Sequence, residues 1–305
     1  MTRVELPKAV LDFTARGPDW AVYVDRLPML IGELLTEWAL ERDGPMMHGH
    51  GSVVLPVLRE GEQAVLKIAF PDVETEHEAL ALQRWGGRGA VRLHRADPRR
   101  RAILMERLHT TDLTELWDLE ACEVVAGLYG LIHVPAPAQL VTVTSYVGRW
   151  TDALAALPRD APIPHRLVEQ ALGLARDLAG DPASTGTLVH GDLHYENVLA
   201  AERAPWLAID PQPMSGDPHY EPAPMLWNRW DELADDIRGG VRRRFHALLD
   251  AASLDEDRAR AWVVVRMVVN AYWAIEDAGR LGRGLDKEER EWITCCVAVA
   301  KAVQD

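Results

Sequence analysis

The sequence has 305 residues, of which 48% are hydrophobic and 26% are charged. This length and composition predict a soluble globular protein of two lobes, each large enough to hold its own core. The net charge of −14 argues against nucleic acid or an anionic membrane as a partner, because their phosphates would be repelled. The same acidity permits a cationic small substrate, although it would serve equally well to keep the protein in solution.

The cysteines and the N-terminus indicate a cytoplasmic protein. Two of the three cysteines are neighbours in sequence and no CxxC pair occurs, so a disulfide framework is not expected. Residues 1–13 carry charges throughout and lack the apolar run of a signal peptide. The most apolar late stretch, residues 262–274, contains Arg266 and Asn270 and is too short to span a bilayer.

The first third of the chain predicts a small lobe built on an antiparallel sheet. Two apolar runs flank a polar connection that contains Gly61, which indicates a β-hairpin. Apolar residues at helical spacing occur before and after this hairpin. The expected elements are helices at 26–41 and 73–85, strands at 53–58, 64–70, 91–93 and 102–105, and a turn at 96–99.

The rest of the chain predicts a mainly helical lobe. Helices are expected at 113–132, 146–157, 167–178, 230–237, 241–249, 258–277 and 287–303. The strand-like runs in this part are 187–189, 197–200 and 206–209. The predicted fold class is therefore α+β, with a nucleotide-binding lobe over residues 1–108 and a helical catalytic and substrate-binding lobe over residues 109–305.

The segment between the last strand-like runs carries the most specific chemical signal. Residues 190–197 have the sequence HGDLHYEN, which is H-x-D-x4-N, and a second aspartate, Asp210, follows. This order is typical of a phosphoryl-transfer catalytic loop. We predict that Asp192 is the catalytic residue, which orients the nucleophilic hydroxyl. Asn197 and Asp210 supply oxygens of the kind that Mg²⁺ prefers, so we predict that they bind the metal beside the nucleotide phosphates.

Lys67 is expected to bind the phosphates of the nucleotide. It is one of four lysines among 33 basic residues and lies in an apolar strand-like run, where a charge is costly unless it is paired. A phosphate on one side and a helix carboxylate on the other would pair it, and Glu78 is the expected carboxylate because it begins the apolar face of the next helix. A solvent-facing lysine on an edge strand is the alternative.

Two further segments are candidates for nucleotide contacts. The sequence HGHGS at 48–52 forms a partial glycine-rich loop, in which Gly49, Gly51 and Ser52 allow a close approach of backbone to phosphate. An ordinary turn would explain this loop equally well. The connector after the last small-lobe strand, with Glu106 and Leu108, is placed to offer backbone groups to an adenine edge.

Two other classes of function fit parts of the sequence. A metal-dependent hydrolase would use His190, Asp192 and His194 with His48, His50 and His219 as ligands. That hypothesis leaves Lys67, Glu78, Asn197 and Asp210 unexplained. A nucleotide-binding module without catalytic activity is the second alternative, and the presence of the whole motif set argues against it.

The motif set resembles the aminoglycoside phosphotransferase family, which has a bilobal protein-kinase-like fold. Gly191 stands where protein kinases have arginine, and Asp210-Pro211 replaces Asp-Phe-Gly, so the small-molecule branch is favoured. Residues 129–135, 181–186, 217–221 and 226–230 resemble the subgroup of streptomycin 6-phosphotransferases and hydroxyurea phosphotransferases. The resemblance implies ATP-dependent phosphorylation of an antibiotic hydroxyl, with streptomycin as the favoured acceptor and hydroxyurea or another small metabolite as the alternative.

Acceptor-binding residues are expected after Asp210 and in the C-terminal helices. Carboxylates would pair with the cationic groups of an aminoglycoside, and a tryptophan would add a cation–π contact of about 0.5–2 kcal/mol. The candidates are Asp217, Glu221, Trp230, Asp231, Trp273, Glu276 and Asp277. For each of them a solvated helix face or a core position is the alternative. A monomer is expected.

Overall fold

The computed structural model describes residues 4–304. Residues 1–3, which begin the stretch that lacks a signal-peptide pattern, and residue 305 lie outside the described part. The chain divides into two units, Met1–His109 and Thr110–Asp305, here called the N-terminal unit and the C-terminal unit. No helix within residues 4–304 has the length and apolar character needed to cross a membrane.

The N-terminal unit is an antiparallel sheet with helices packed on it. Its strands are β1 (Leu40–Arg42), β2 (Met47–His48), β3 (Ser52–Arg59), β4 (Glu62–Ala69), β5 (Leu93–Asp97) and β6 (Ala102–Glu106). The strand order is β1-β3-β4-β6-β5, and β2 pairs with β3. Its helices are α1 (Lys8–Leu11), α2 (Pro18–Glu37) and α3 (Glu78–Trp85).

The β3–β4 hairpin places Lys67 in the middle of this sheet. Its two-residue turn, Glu60-Gly61, has φ values of +53° and +83°, as a tight hairpin turn of type I′ requires. Lys67 then lies opposite Val54 on β3 and Ile103 on β6. β4 is an interior strand, so the alternative of an edge-strand lysine is wrong.

The C-terminal unit is helical, with short strands around the motif segment. Its helices are α4 (Asp118–Ile132), α5 (Val143–Ala155), α6 (His165–Ala179), α7 (Ala223–Trp227), α8 (Ile237–Ala252), α9 (Glu256–Arg280) and α10 (Lys287–Ala302). Its strands are β7 (Val134–Pro135), β8 (Thr187–Val189), β9 (Val198–Ala200), β10 (Trp206–Ala208) and β11 (Met214–Gly216). β9 pairs with β10, and β8 lies between β11 and β7. Every residue of α9 from 262 to 271 is buried, so this helix runs through the core of the unit.

Local hydrogen bonds explain where the structure departs from the predicted elements. The helix expected at 230–237 is wrong, because Trp230–Leu233 forms one 3₁₀ turn and α8 begins only after Asp236, whose side chain caps it at the Gly239 N–H. The helix expected from residue 73 begins at Glu78, since Thr75 bonds to Asp72 and to the Phe70 carbonyl instead. Strands β1, β2, β7 and β11 were not predicted, as two or three residues carry too little periodicity, and the helix expected at 26–41 ends before β1.

Candidate active site

The segment from His190 to Asn197 connects β8 to β9 and holds Asp192 partly exposed. Leu193 and Tyr195 are fully buried on either side of His194, which fixes the path of the loop. The Asp192 side chain keeps 23% of its exposure. Its carboxylate lies 3.4 Å from Nε2 of Gln212 and 3.7 Å from Nε2 of His194. The loop therefore presents an accessible carboxylate between the buried residues Gly191 and Leu193.

His190 joins this loop to the segment that carries Asp210. Its Nε2 is 2.8 Å from the Ile209 carbonyl, and its Nδ1 accepts the Asp192 N–H at 3.2 Å. These contacts require the proton on Nε2, and burial lowers the pKa of His190, which favours the neutral ring. The Gln212 N–H donates to the His190 carbonyl at 2.8 Å. His190 is thus a structural residue whose two ring nitrogens are both occupied.

Asn197 is held so that its amide nitrogen points into the loop. Its Nδ2 donates to the Asp192 carbonyl at 2.9 Å and lies 3.1 Å from Nε2 of His194. The Asn197 N–H donates to the His194 carbonyl. With the nitrogen engaged, the side-chain oxygen is the atom of Asn197 that remains to bind a cation.

Asp210 adopts an unusual backbone conformation. Its φ is +55°, in the left-handed region that aspartate tolerates better than most residues. A residue before proline usually has an extended backbone, but here hydrogen bonds on both sides fix the turn: the Ile209 N–H donates to the Asn197 carbonyl and the Gln212 N–H to His190. A non-glycine residue in this region stores strain, which is common at functional sites.

The metal ligands that the hydrolase hypothesis requires do not come together in the described part of the structure. Within residues 4–304 no three His, Cys, Asp or Glu side chains are grouped so that they could hold a metal ion. Both ring nitrogens of His190 are occupied, so His190 has no lone pair left for a metal ion.

Lys67 and Glu78 form a buried ion pair in the N-terminal unit. Nζ of Lys67 is 2.7 Å from Oε1 of Glu78, and each side chain is 5% exposed. The predicted pairing is therefore observed. Removing one partner of such a pair costs about 3–5 kcal/mol because the other charge remains buried.

The glycine-containing loop at 48–52 is braced by the start of the chain. Gly49 donates its N–H to the Ser52 carbonyl at 3.0 Å, and the Gly51 carbonyl accepts from Phe70 at 2.7 Å. Arg16 donates to the His50 carbonyl. The Arg16 guanidinium also lies 4.5 Å from the ring of Phe13 and 4.7 Å from that of Trp20. We call Phe13, Arg16 and Trp20 the N-terminal brace.

The other nucleotide candidates are partly engaged inside the N-terminal unit. Ser52 is 4% exposed. Glu106 donates its N–H to the Arg92 carbonyl at 3.0 Å and accepts the Arg92 N–H on its carboxylate at 2.6 Å. Leu108 is half-buried. Contacts of Glu106 and Leu108 with an adenine stay predictions.

Asp217 and Glu221 are buried in the C-terminal unit. Asp217 is 1% exposed and accepts hydrogen bonds from His219, Arg258 and Trp262. Although burial favours its neutral form, the bonds from His219 and Trp262 lower the pKa of Asp217 overall. The carboxylate is therefore satisfied by internal partners rather than directed to solvent.

Glu221 supports the catalytic loop directly. It is 0% exposed, and its Oε1 accepts the N–H groups of His190 and Gly191. Burial favours the neutral carboxyl, but His133 and the Gly191 N–H lower the pKa of Glu221 overall. Like Asp217, Glu221 faces internal groups rather than solvent, so neither carboxylate is exposed to an acceptor.

Trp273 lies in an aromatic cluster formed by α5 and α9. Tyr146, Trp150, Tyr272 and Trp273 make up this cluster, with the Trp273 ring 6.0 Å from that of Tyr146 and 6.1 Å from that of Trp150. The indole nitrogens of Trp150 and Trp273 are buried without a hydrogen-bond partner within residues 4–304. Such groups are costly unless a ligand or water satisfies them.

The other acceptor candidates differ in their surroundings. Glu276 is half-buried and Asp277 is exposed on α9. Burial raises the pKa of Tyr272, and the charge of Glu276 adds to that rise, whereas Asp277 pairs with Arg280. Trp230 and Asp231 lie in the separate 3₁₀ turn ahead of α8.

Sequence patterns missed three residues that contact the candidate site. Arg16 braces the glycine-containing loop, Gln212 approaches Asp192, and Arg266 donates to the Gly191 carbonyl. Arg266 could have been found by the reasoning that singled out Lys67, since it is a lone charge in an apolar run. Gln212 and Arg16 carry no comparable signal.

Together, the lysine–glutamate sheet unit and the helical unit with its H-x-D-x4-N loop define a kinase of the protein-kinase-like fold. The sequence pattern of the aminoglycoside/hydroxyurea antibiotic resistance kinases matches residues 37–278. The chain belongs to this family. It is therefore a small-molecule phosphotransferase that acts on a hydroxyl group and uses ATP.

Individual relatives agree with this assignment. Streptomycin 6-kinase of Streptomyces glaucescens is 41% identical over 286 residues, which cover 90% of this chain and 92% of the relative. Hydroxyurea phosphotransferase of Kitasatospora aureofaciens is 38% identical over 293 residues, which cover 90% and 81%. A solved choline kinase from Streptococcus pneumoniae aligns with a TM-score of 0.61 at 14% identity, over 90% of this chain and 99% of that one. This last likeness shows the fold alone.

Proposed function

We propose that the enzyme transfers the γ-phosphoryl group of ATP to the 6-hydroxyl of streptomycin and so inactivates the antibiotic. The observation that carries the proposal is the catalytic loop, in which Asp192 stays accessible while Glu221, His190 and Asn197 fix the surrounding backbone. The identity of 41% to a streptomycin 6-kinase over 90% of the chain supports the choice of acceptor.

Each unit contributes its own residues to the proposed reaction. In the N-terminal unit, Lys67 held by Glu78 binds the nucleotide phosphates, with the loop of Gly49 and Gly51 beside them. In the C-terminal unit, Asp192 accepts a hydrogen bond from the acceptor hydroxyl. It takes the proton as the hydroxyl oxygen bonds to the γ-phosphorus and the bond to ADP breaks.

Asn197 and Asp210 fit a magnesium ion. The side-chain nitrogen of Asn197 is engaged inside the loop, which leaves a neutral oxygen, and Asp210 supplies an anionic one. Oxygen donors of this kind suit hard cations. Magnesium would neutralise charge on the transferring phosphoryl group, while the two residues fix where the phosphates lie.

The aromatic cluster is the proposed platform for the cationic part of streptomycin. Trp273 follows Arg266 by seven residues on α9, which places it on the same face about 10 Å further along the helix. Arg266 lies 3.9 Å from Asp192. A multi-ring acceptor can extend from Asp192 to the cluster, whereas hydroxyurea cannot. Half-buried Glu276 adds a negative charge near this platform.

Trp273→Ala is therefore expected to discriminate between the two acceptors. Loss of the cation–π contact should raise KM for streptomycin about 2- to 30-fold and leave hydroxyurea turnover, where it occurs, unchanged. Steady-state kinetics with both acceptors would measure this. The control is Trp117→Ala, which removes an exposed tryptophan outside the cluster. An unchanged KM for streptomycin in the Trp273 variant would exclude the platform.

The choice of acceptor is tested by a substrate panel. The purified enzyme is incubated with ATP and Mg²⁺ and, separately, with streptomycin, other aminoglycosides and hydroxyurea, and products are identified by mass spectrometry. We expect a mono-phosphorylated streptomycin, with the phosphate located at the 6-oxygen by NMR. Product from hydroxyurea alone would favour the second candidate, which the 38% identity to a hydroxyurea phosphotransferase supports. Absence of product from both would contradict the proposed function.

We further propose that the enzyme works as a monomer in the cytoplasm, without a nucleic-acid or membrane partner. The net charge of −14 supports the exclusion of polyanionic partners. The three cysteines are unpaired and buried, which suits a reducing compartment.

A further inference from the structure

Arg266 is a buried cation beside the catalytic loop. It is 7% exposed on α9, where every neighbour along the helix from 262 to 271 is also buried. Its Nη2 donates to the Gly191 carbonyl, and its Nη1 to the Tyr220 carbonyl at 3.3 Å. Within residues 4–304 the carboxylate that it approaches within 4.0 Å is that of Asp192, at 3.9 Å from Nη2 to Oδ1.

Two aromatic rings hold the guanidinium in place. Its central carbon lies 4.4 Å from the ring centroid of Tyr220 and 5.0 Å from that of Trp227. Cation–π contacts of this kind fix both the position and the orientation of an arginine side chain. The rings therefore restrict the orientation of the guanidinium, which donates to the Gly191 and Tyr220 carbonyls.

Arg266 and Glu221 carry opposite charges and bond to the same short stretch of backbone. Glu221 accepts the N–H groups of His190 and Gly191, while Arg266 donates to the Gly191 carbonyl. Asp192 is the next residue. Its own N–H donates to the His190 ring, so the backbone on the N-terminal side of Asp192 is fixed by Glu221, Arg266 and His190.

We propose that Arg266 is a positioning residue for phosphoryl transfer, which fixes the Gly191–Asp192 backbone and orients the Asp192 carboxylate toward the acceptor hydroxyl. The proposal rests on the proposed role of Asp192. Burial of a charge costs stability unless specific bonds offset it, and one of the two hydrogen bonds of Arg266 goes to Gly191, directly before Asp192. Protein kinases have an arginine within the loop itself, in H-R-D. This chain has Gly191 there, and α9 supplies an arginine to the same stretch.

Arg266→Met tests this role. The change removes the charge and both carbonyl contacts but keeps a long side chain. Since small misplacements of a reacting group cost about 100-fold, we expect kcat to fall about 100-fold while KM for ATP stays within about threefold. Arg266→Lys keeps the charge and loses the planar fork of donors, so its kcat should fall about tenfold.

The matched control is Arg258→Met on the same helix. Arg258 is a partly buried arginine that donates to Asp217, Asp181 and Ser184. Its replacement therefore also removes several hydrogen bonds. We expect lower thermal stability in both methionine variants but a kcat within about threefold of wild type only for Arg258→Met. Added guanidinium ion should partly restore the activity lost in Arg266→Ala and leave the activity of Arg258→Ala unchanged.

An acceptor-independent measurement separates this proposal from the proposed function. Hydrogen exchange of the peptide covering 188–197 should be faster in Arg266→Met and unchanged in Arg258→Met. Unchanged exchange, or a kcat within about threefold of wild type in Arg266→Met, would overturn the positioning role. If Arg266→Met does not fold, a kcat within about threefold in Arg266→Lys has the same meaning. If the wild-type enzyme shows no turnover, the proposed function is contradicted. The hydrogen-exchange result would still show whether Arg266 fixes the backbone of residues 188–197.

Discussion

Asp192→Asn is expected to lower kcat about 10³-fold and to leave KM for ATP within about threefold. Asparagine has nearly the same shape and can keep a contact with Gln212, which approaches the Asp192 carboxylate at 3.4 Å. It cannot accept the proton of the acceptor hydroxyl, and it leaves Arg266 without the carboxylate 3.9 Å away. Steady-state kinetics with ATP and the acceptor found in the substrate panel would measure the loss.

A control in the same loop separates chemistry from folding. Glu196 is exposed, so Glu196→Gln changes one charge in the loop without touching the proposed machinery and should leave kcat unchanged. Thermal unfolding of the Asp192 variant should show a folded protein. Turnover of Asp192→Asn within about threefold of wild type would exclude Asp192 as the catalytic carboxylate.

Gly191→Ala is expected to damage both stability and activity. Gly191 has φ of +84°, and a Cβ at this position would lie 2.2 Å from the Gln212 carbonyl oxygen. Strain in φ and the forced movement of backbone together predict a loss of about 2–5 kcal/mol in the free energy of unfolding. Because Asp192 follows directly, kcat should also fall, by about 100-fold.

The matched control is an alanine at a glycine with open space. Gly173 lies within α6, and a Cβ there would meet no atom within 4 Å, so Gly173→Ala should stabilise the protein by up to about 1 kcal/mol. Urea unfolding of both variants would measure the difference. Equal stability of the Gly191 variant and wild type would mean that the loop adjusts more freely than its contacts indicate.

The contact between Gly191 and Gln212 also explains a sequence feature that served only to distinguish branches of the fold. At this position the H-R-D motif of protein kinases has arginine. In this chain any side chain at residue 191 would collide with the segment after Asp210. In this chain, the glycine that distinguishes the loop from H-R-D is therefore required by the lack of space for a side chain.

Patterns with local causes were predictable from the sequence. The β3–β4 hairpin follows from apolar runs around Gly61, and the Lys67–Glu78 pair follows from the cost of an unpaired charge in such a run. The H-x-D-x4-N spacing places Asp192 and Asn197 in one loop because the intervening residues are too few to separate them. The confirmed α+β class rests on these same local patterns.

What could not be predicted depends on contacts between distant parts of the chain. Glu221 was expected to face an acceptor, and the structure bonds it to the loop at His190 and Gly191, thirty residues earlier. The left-handed backbone of Asp210 is fixed by bonds to Asn197 and His190, which the local preference before proline does not reveal. Arg266 follows Asp192 by more than seventy residues in sequence and still approaches its carboxylate within 3.9 Å.

The N-terminal brace lies outside the region that matches the family. The matched region begins at residue 37, whereas Phe13, Arg16 and Trp20 precede it and secure the loop around His50. A chain trimmed to the matched region would keep Lys67, Glu78 and the catalytic loop and lose the brace. Its sequence would still be assigned to the family, but the glycine-containing loop at 48–52 would lose the hydrogen bond from Arg16. A shortened version of this enzyme should therefore keep the N-terminal brace, although the brace lies outside the matched region.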